Sequence, residues 1–128
     1  GGWSDVAIHY GAEVIAVDRS ELVPELMRHK RLRFVSGDAF RFECEQKPVD
    51  WLVCDVIAYP ERSVELLERW LGNGWCRHFC VTIKFRGEAD FEQLARLKNM
   101  LSKYAGDWVV RRLCENKNEV TSIGSASG

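Results

Sequence analysis

Short apolar runs rich in β-branched residues alternate along this chain with segments of helical periodicity. Val14-Ile-Ala-Val-Asp18, Leu32-Arg-Phe-Val-Ser36, Val49-Asp-Trp-Leu-Val-Cys-Asp55 and His78-Phe-Cys-Val-Thr-Ile-Lys-Phe85 read as strands. Between them, Ser20 is placed to cap a helix with Glu21 in its first turn, running to about His29. Pro60 and Glu61 open a second helix with Val64, Leu67 and Leu71 on one face, closed by Gly72-Asn73-Gly74. A third runs from Glu88 to about Tyr104, with Phe91, Leu94, Leu97 and Leu101 aligned. Strand and helix in alternation predict an α/β fold with a parallel sheet. Nearly unbroken apolar strands fit a sheet covered on both faces. The end of the chain breaks the pattern. Asp107 to Cys114 reads as a strand, and the polar link Glu115-Asn-Lys-Asn118 leads to a last strand from Glu119 to about Ile123. So short a link cannot hold a crossover helix, so these two strands form an antiparallel hairpin. Gly124-Ser-Ala-Ser-Gly128 reads as a flexible tail after a domain spanning residues 1–123.

The front of the chain carries its own constraint. It opens Gly1-Gly2-Trp3-Ser4, and Asp5 to Tyr10 has helical character. A doubly wound domain starts with a strand and a glycine-rich turn that feeds the first helix. Here the turn is caught half-way and the strand before it is missing, so the expectation is a truncated domain without its first, central strand. Composition narrows the class further. The 128 residues carry 18 basic and 19 acidic side chains, a net charge of −1. That balance argues against a free-standing nucleic-acid binder held by bulk electrostatics. No apolar run approaches the ~20 residues of a membrane-spanning helix. Five cysteines without a CxxC pair make a poor disulfide framework and point to reduced thiols in the cytoplasm. Cys76 and Cys80 flank His78, but read as buried thiols rather than ligands, and no metal site is expected. Trp51, Trp70, Trp75 and Trp108 read as packing residues. Arg28, His29, Lys30, Arg31 and Arg33 form a basic cluster that reads as an ordinary solvated face.

Chemistry is expected at one edge of the sheet. In parallel sheets, ligands sit outside the carboxyl ends of the strands. Asp55 and Lys84 each end a strand, and Glu119 opens a strand running the other way, so all three belong to the same rim. If the strands are neighbours, steps of ~4.8 Å bring the side chains within reach of one another. Asp18 ends an earlier strand, where an acid can bond ribose hydroxyls. Gly1 and Gly2 would let a ligand approach the backbone at a helix N-terminus, which favours a carboxylate.

Gly1-Gly2-Trp3-Ser4 resembles the end of the GAxPGGW motif of the FtsJ-like ribose 2′-O-methyltransferases. Asp55 in Val53-Cys-Asp-Val56, Lys84 in Thr82-Ile-Lys-Phe85 and Glu119 in Asn118-Glu-Val-Thr121 match three members of that family's Lys-Asp-Lys-Glu tetrad, in order. Arg69-Trp-Leu-Gly-Asn-Gly-Trp-Cys-Arg77 is similar to the RlmM-type enzymes, which methylate a cytidine ribose in 23S ribosomal RNA. The tetrad's first lysine belongs upstream of the glycine motif and is not in this sequence. The resemblance implies a Rossmann-like sheet, S-adenosylmethionine as cofactor, and catalytic roles for Lys84, Asp55 and Glu119. It implies cofactor contacts from Gly1, Gly2, Trp3, Asp18, Asp38 and Asp55, with Asp38 meeting the adenine amino group. Arg86, near Lys84, is the candidate for RNA phosphate. Recognition of 23S ribosomal RNA is expected to need a separate domain before this one.

These residue types suit methyl transfer to a ribose hydroxyl. The hydroxyl is a weak nucleophile until its proton leaves, so a base is needed near the transition state. An ordinary lysine, with a pKa near 10.4, is protonated at neutral pH. A neighbouring cation such as the missing lysine would lower that value, and carboxylates would raise it. Lys84 is the expected base, with Asp55 and Glu119 orienting it and the hydroxyl. Two alternatives remain at this point. A nicotinamide dinucleotide-binding domain shares the early alternation and Asp18, and a non-catalytic module could keep the fold to bind RNA or a partner.

Overall fold

The computed structural model describes residues 7–9, 11, 13–18, 24–44, 48–54, 59–85, 91–112 and 119–127. The chain divides into two compact units, residues 1–43 and 44–128.

In the first unit, β1 (Val14–Asp18) pairs in parallel with β2 (Leu32–Ser36), and the short helix α1 (Pro24–Met27) lies between them in sequence. Both strands have the predicted bounds. Of the helix expected from Ser20 to His29, the described part is helical at Pro24–Met27, and residues 19–23 lie outside the described residues. Register runs from Val14 opposite Leu32 to Asp18 opposite Ser36, so both carboxyl ends finish level.

The second unit is a four-stranded sheet in the order β3-β4-β6-β5 with two helices. Its elements are β3 (Val49–Cys54), α2 (Pro60–Gly72), β4 (Cys76–Lys84), α3 (Phe91–Tyr104), β5 (Ala105–Arg112) and β6 (Glu119–Ala126). β3 and β4 are parallel, while β6 runs antiparallel to both β4 and β5. The expected terminal hairpin is therefore present, and its second strand inserts between β4 and the first. α2 begins with Pro60, whose missing N–H costs nothing at that position. It ends in a Schellman motif: Trp75 N–H donates to Trp70 O at 2.9 Å and Gly74 N–H to Leu71 O at 3.2 Å. Gly74 sits at φ +66°, the left-handed conformation that motif requires.

Alternation along β4 divides the sheet into two faces. Phe79, Val81 and Ile83 are fully buried, together with Val64 and Leu67 of α2 and Leu97 and Leu101 of α3. Burying side chains of this size stabilises by about 1.5–3 kcal/mol each. His78, Cys80, Thr82 and Lys84 point to the other face and are half-buried. That face also carries exposed Trp51, Val53, Val109 and Ile123, through register with β4 and β6. Trp51 corrects the sequence expectation. Trp70 and Trp75 are buried, and Trp108 is half-buried, but Trp51 is 52% exposed, with its ring 4.9 Å from that of His78. It lies on edge strand β3 and on the face turned away from Phe79, so period-two alternation sends it outward.

The C-terminal residues give a second correction. β6 continues through Gly124, Ser125 and Ala126, which composition alone predicts as a flexible tail. Ser125 pairs with His78 and Ala126 with Ala105, so ladder hydrogen bonds on both sides outweigh the low strand propensity of these residues.

Candidate active site

Lys84 is the last residue of β4 and Glu119 the first of β6, and the antiparallel register makes them direct partners. Lys84 Nζ lies 3.9 Å from Glu119 Oε1. The side chains are 36% and 16% exposed, so the acid is the more enclosed of the two. At that separation the pair is held by charge and is looser than a charge-assisted hydrogen bond of about 2.8 Å.

The strands beneath are fixed by side-chain bonds as well as by the ladder. Thr82 Oγ1 lies 3.3 Å from Thr121 Oγ1, one same-face step below the Lys84–Glu119 pair. Ser122 Oγ donates to Val81 O at 3.0 Å inside the core. Further down the same face, His78 Nδ1 is 2.9 Å from Ser125 Oγ. Neither Thr82 nor Thr121 belongs to a charged motif, so no motif in the sequence singles them out. The alternation His78, Cys80, Thr82, Lys84 is the signal that could locate Thr82.

β3 stands beside β4, with Cys54 opposite Val81. Asp55, which follows Cys54, lies outside the described residues, as do Gly1, Gly2, Trp3 and Arg86. In the first unit, Asp18 closes β1 opposite Ser36, and its side chain is also outside the described set. Asp38 is half-buried two residues past the end of β2, and its Oδ1 accepts the Phe40 N–H at 2.9 Å. This turn holds the carboxyl at the end of its strand. Both acids therefore stand at or just past the carboxyl ends of adjacent parallel strands, the rim outside which ligands bind in sheets of this kind. Among the described residues, no group of three His, Cys, Asp or Glu side chains could hold a metal ion. An open depression of about 510 Å³, lined by Glu68, Arg96, Asn99 and Lys103 among others, lies between α2 and α3 and includes no residue of the rim.

A profile of the FtsJ-like methyltransferases matches residues 1–105. The chain belongs to the FtsJ-like methyltransferase family. It is 38% identical over 84 residues to ribosomal RNA large subunit methyltransferase M of Xylella fastidiosa strain M12, covering 66% of this chain and 24% of that protein. The protein of the same name from Psychromonas ingrahamii is 31% identical over 127 residues, covering 94% of this chain and 35% of that protein. The chain thus spans about a quarter to a third of the length of these relatives. Among solved structures, the PH0226 protein of Pyrococcus horikoshii OT3 matches with a TM-score of 0.62 at 16% identity, over 99% of this chain and 79% of that one. The methyltransferase SibL matches at 0.59 and 16% identity, over 96% and 46%. These likenesses establish the Rossmann-like methyltransferase fold. Family membership removes the nicotinamide alternative, which left the terminal hairpin and the Lys84 rim without an account.

Proposed function

We propose that this chain is the methyl-transferring part of an S-adenosylmethionine-dependent ribosomal RNA 2′-O-methyltransferase, acting on a cytidine ribose of 23S ribosomal RNA. The relatives named for large-subunit RNA methylation support the substrate class. The observation that carries the chemistry is the Lys84–Glu119 pair, 3.9 Å apart at one strand-end rim. Asp18 and Asp38, with Gly1, Gly2, Trp3 and Asp55, are the residues that would hold the cofactor. Carboxylates at strand ends suit the hydroxyl and amino donors of its adenosine part. When bound, the cofactor supplies an electrophilic methyl group.

This chain's own residues do the rest. Lys84, as the neutral amine, takes the proton of the ribose hydroxyl as the oxygen becomes nucleophilic. Glu119 and Asp55 hold the amine and the hydroxyl in line, and Arg86 meets a neighbouring phosphate. An upstream RNA-binding domain completes recognition in the whole protein. Lys84→Ala should abolish methyl transfer, with a loss of at least the 10²–10⁴-fold typical of a general base, while calorimetric affinity for the cofactor stays nearly unchanged. Turnover by that variant close to wild type would remove Lys84 from the mechanism. Absence of transfer by the wild-type protein, with cofactor binding intact, would favour a non-catalytic binding module.

A further inference from the structure

The first unit has a second charged feature, at the opposite end of β2 from Asp38. Arg28, Lys30 and Arg31 occupy the turn between α1 and β2, and Arg33 is the second residue of that strand. All four side chains are exposed. None makes an ion pair with a described residue, although Glu25, three residues before Arg28, and Glu13, next to the Val14 that pairs with Leu32, are both exposed. The turn itself is held by backbone. Val14 N–H donates to Arg31 O at 2.7 Å and Leu32 N–H to His29 O at 3.0 Å. The Arg31 N–H also donates to His29 Nδ1 at 3.1 Å.

Charge is segregated accordingly. Residues 24–33 carry four cations and one acid, so the remainder of a chain with net charge −1 carries −4. A solvated face usually intersperses both signs. Four like charges within six residues repel one another, and a polyanion relieves that repulsion while releasing its own counterions. We infer that Arg28, Lys30, Arg31 and Arg33 form a docking surface for the phosphate backbone of RNA, separate from the strand-end rim. β2 is five residues long, so the surface lies about 13 Å along the strand from the end near Asp38. That span is a few phosphates, short enough for one folded RNA to meet both ends. The surface reads backbone charge and not sequence. The inference rests on the ribosomal RNA reading for its choice of polyanion.

The test replaces Arg28, Lys30, Arg31 and Arg33 together by glutamine. Lys98→Gln with Lys103→Gln, on exposed positions of α3, is the control for lost charge. Binding of an unmodified RNA hairpin is followed by fluorescence anisotropy across a salt series, and thermal unfolding reports folding. The fourfold variant is expected to keep its melting temperature and lose at least about tenfold in affinity at low salt. The slope of log K against log salt should fall by about 3, near 0.7–0.9 for each phosphate contact. The control pair should leave the slope near wild type. A slope unchanged in the fourfold variant overturns the surface, as does an equal drop in the control. A variant that loses binding to anionic vesicles but not to RNA overturns it too and assigns the patch to a membrane. Methyl transfer to 23S ribosomal RNA by the wild-type protein is measured alongside. Its absence with the slope change intact would sink the proposed reaction and leave the surface standing.

Discussion

Cys76 shows how a single buried side chain ties folding to pH. It is the first residue of β4, 2% exposed, with Cys44 buried beside the same turn and its Sγ 4.0 Å from Trp75 O. Burial, with a smaller contribution from Cys44, pushes the Cys76 thiol from its ordinary 9.0 up to about 12. The thiolate is the reactive form, so Cys76 should resist alkylation at neutral pH for as long as the fold stays closed. The folded protein keeps this proton at pH values where the unfolded chain has released it. Its contribution to stability is therefore full below about 9 and lost as pH rises towards about 12. Melting temperature should fall across that alkaline window, and fall less steeply in Cys76→Ala. Identical alkaline profiles for the two proteins would show that Cys76 is not responsible. At the rim, the residue-scale consequence is the Lys84→Ala phenotype, because no other described side chain supplies a cation opposite Glu119 at that register position.

At the scale of elements, β6 depends on one glycine. The ladder between β5 and β6 shifts between Ala105 and Trp108, a bulge that puts three steps of β5 against two of β6. Gly124 sits at that bulge. A Cβ there would lie 2.2 Å from Asp107 O and 2.9 Å from both Phe79 Cζ and Trp108 Cα. Two of those neighbours are backbone, and the third is the ring of a fully buried phenylalanine, so the clash cannot be relieved by turning a surface side chain. Gly124→Ala is expected to destabilise by about 1–3 kcal/mol or more, the usual cost of overpacking a core. Chemical denaturation with an unchanged m-value would measure it. A midpoint equal to wild type would mean that the bulge opens without cost. Because β6 also carries Glu119, the same change should loosen the Lys84–Glu119 pair from the far end of the strand.

At the scale of the molecule, the two units differ in how their strands are supported. β4 is flanked by β3 and β6, and Phe79, Val81 and Ile83 are fully buried. β1 and β2 form a two-stranded pair in which no described side chain is fully buried, an arrangement of marginal stability by itself. Hydrogen exchange should find the amides of β4 among the slowest and those of β1 and β2 faster by orders of magnitude. Equal protection in the two units would contradict this. The same division separates what could be read from residues alone from what could not. Alternating periods of two and 3.6, Pro60 at a helix start and Gly74 at its end were enough to place β1, β2 and α2 within a residue or two, because each depends on local sterics and local hydrogen bonds. The four-residue link before Glu119 was enough to demand an antiparallel last strand, and the charged strand ends marked Lys84 and Glu119 as members of one rim. Strand order, the insertion of β6 between its hairpin partner and β4, the outward turn of Trp51, and the extension of β6 through residues that favour a loose tail all had to wait for the fold. Each of those depends on which distant segment comes to lie alongside, a choice made by long-range pairing and burial that no local window of sequence contains.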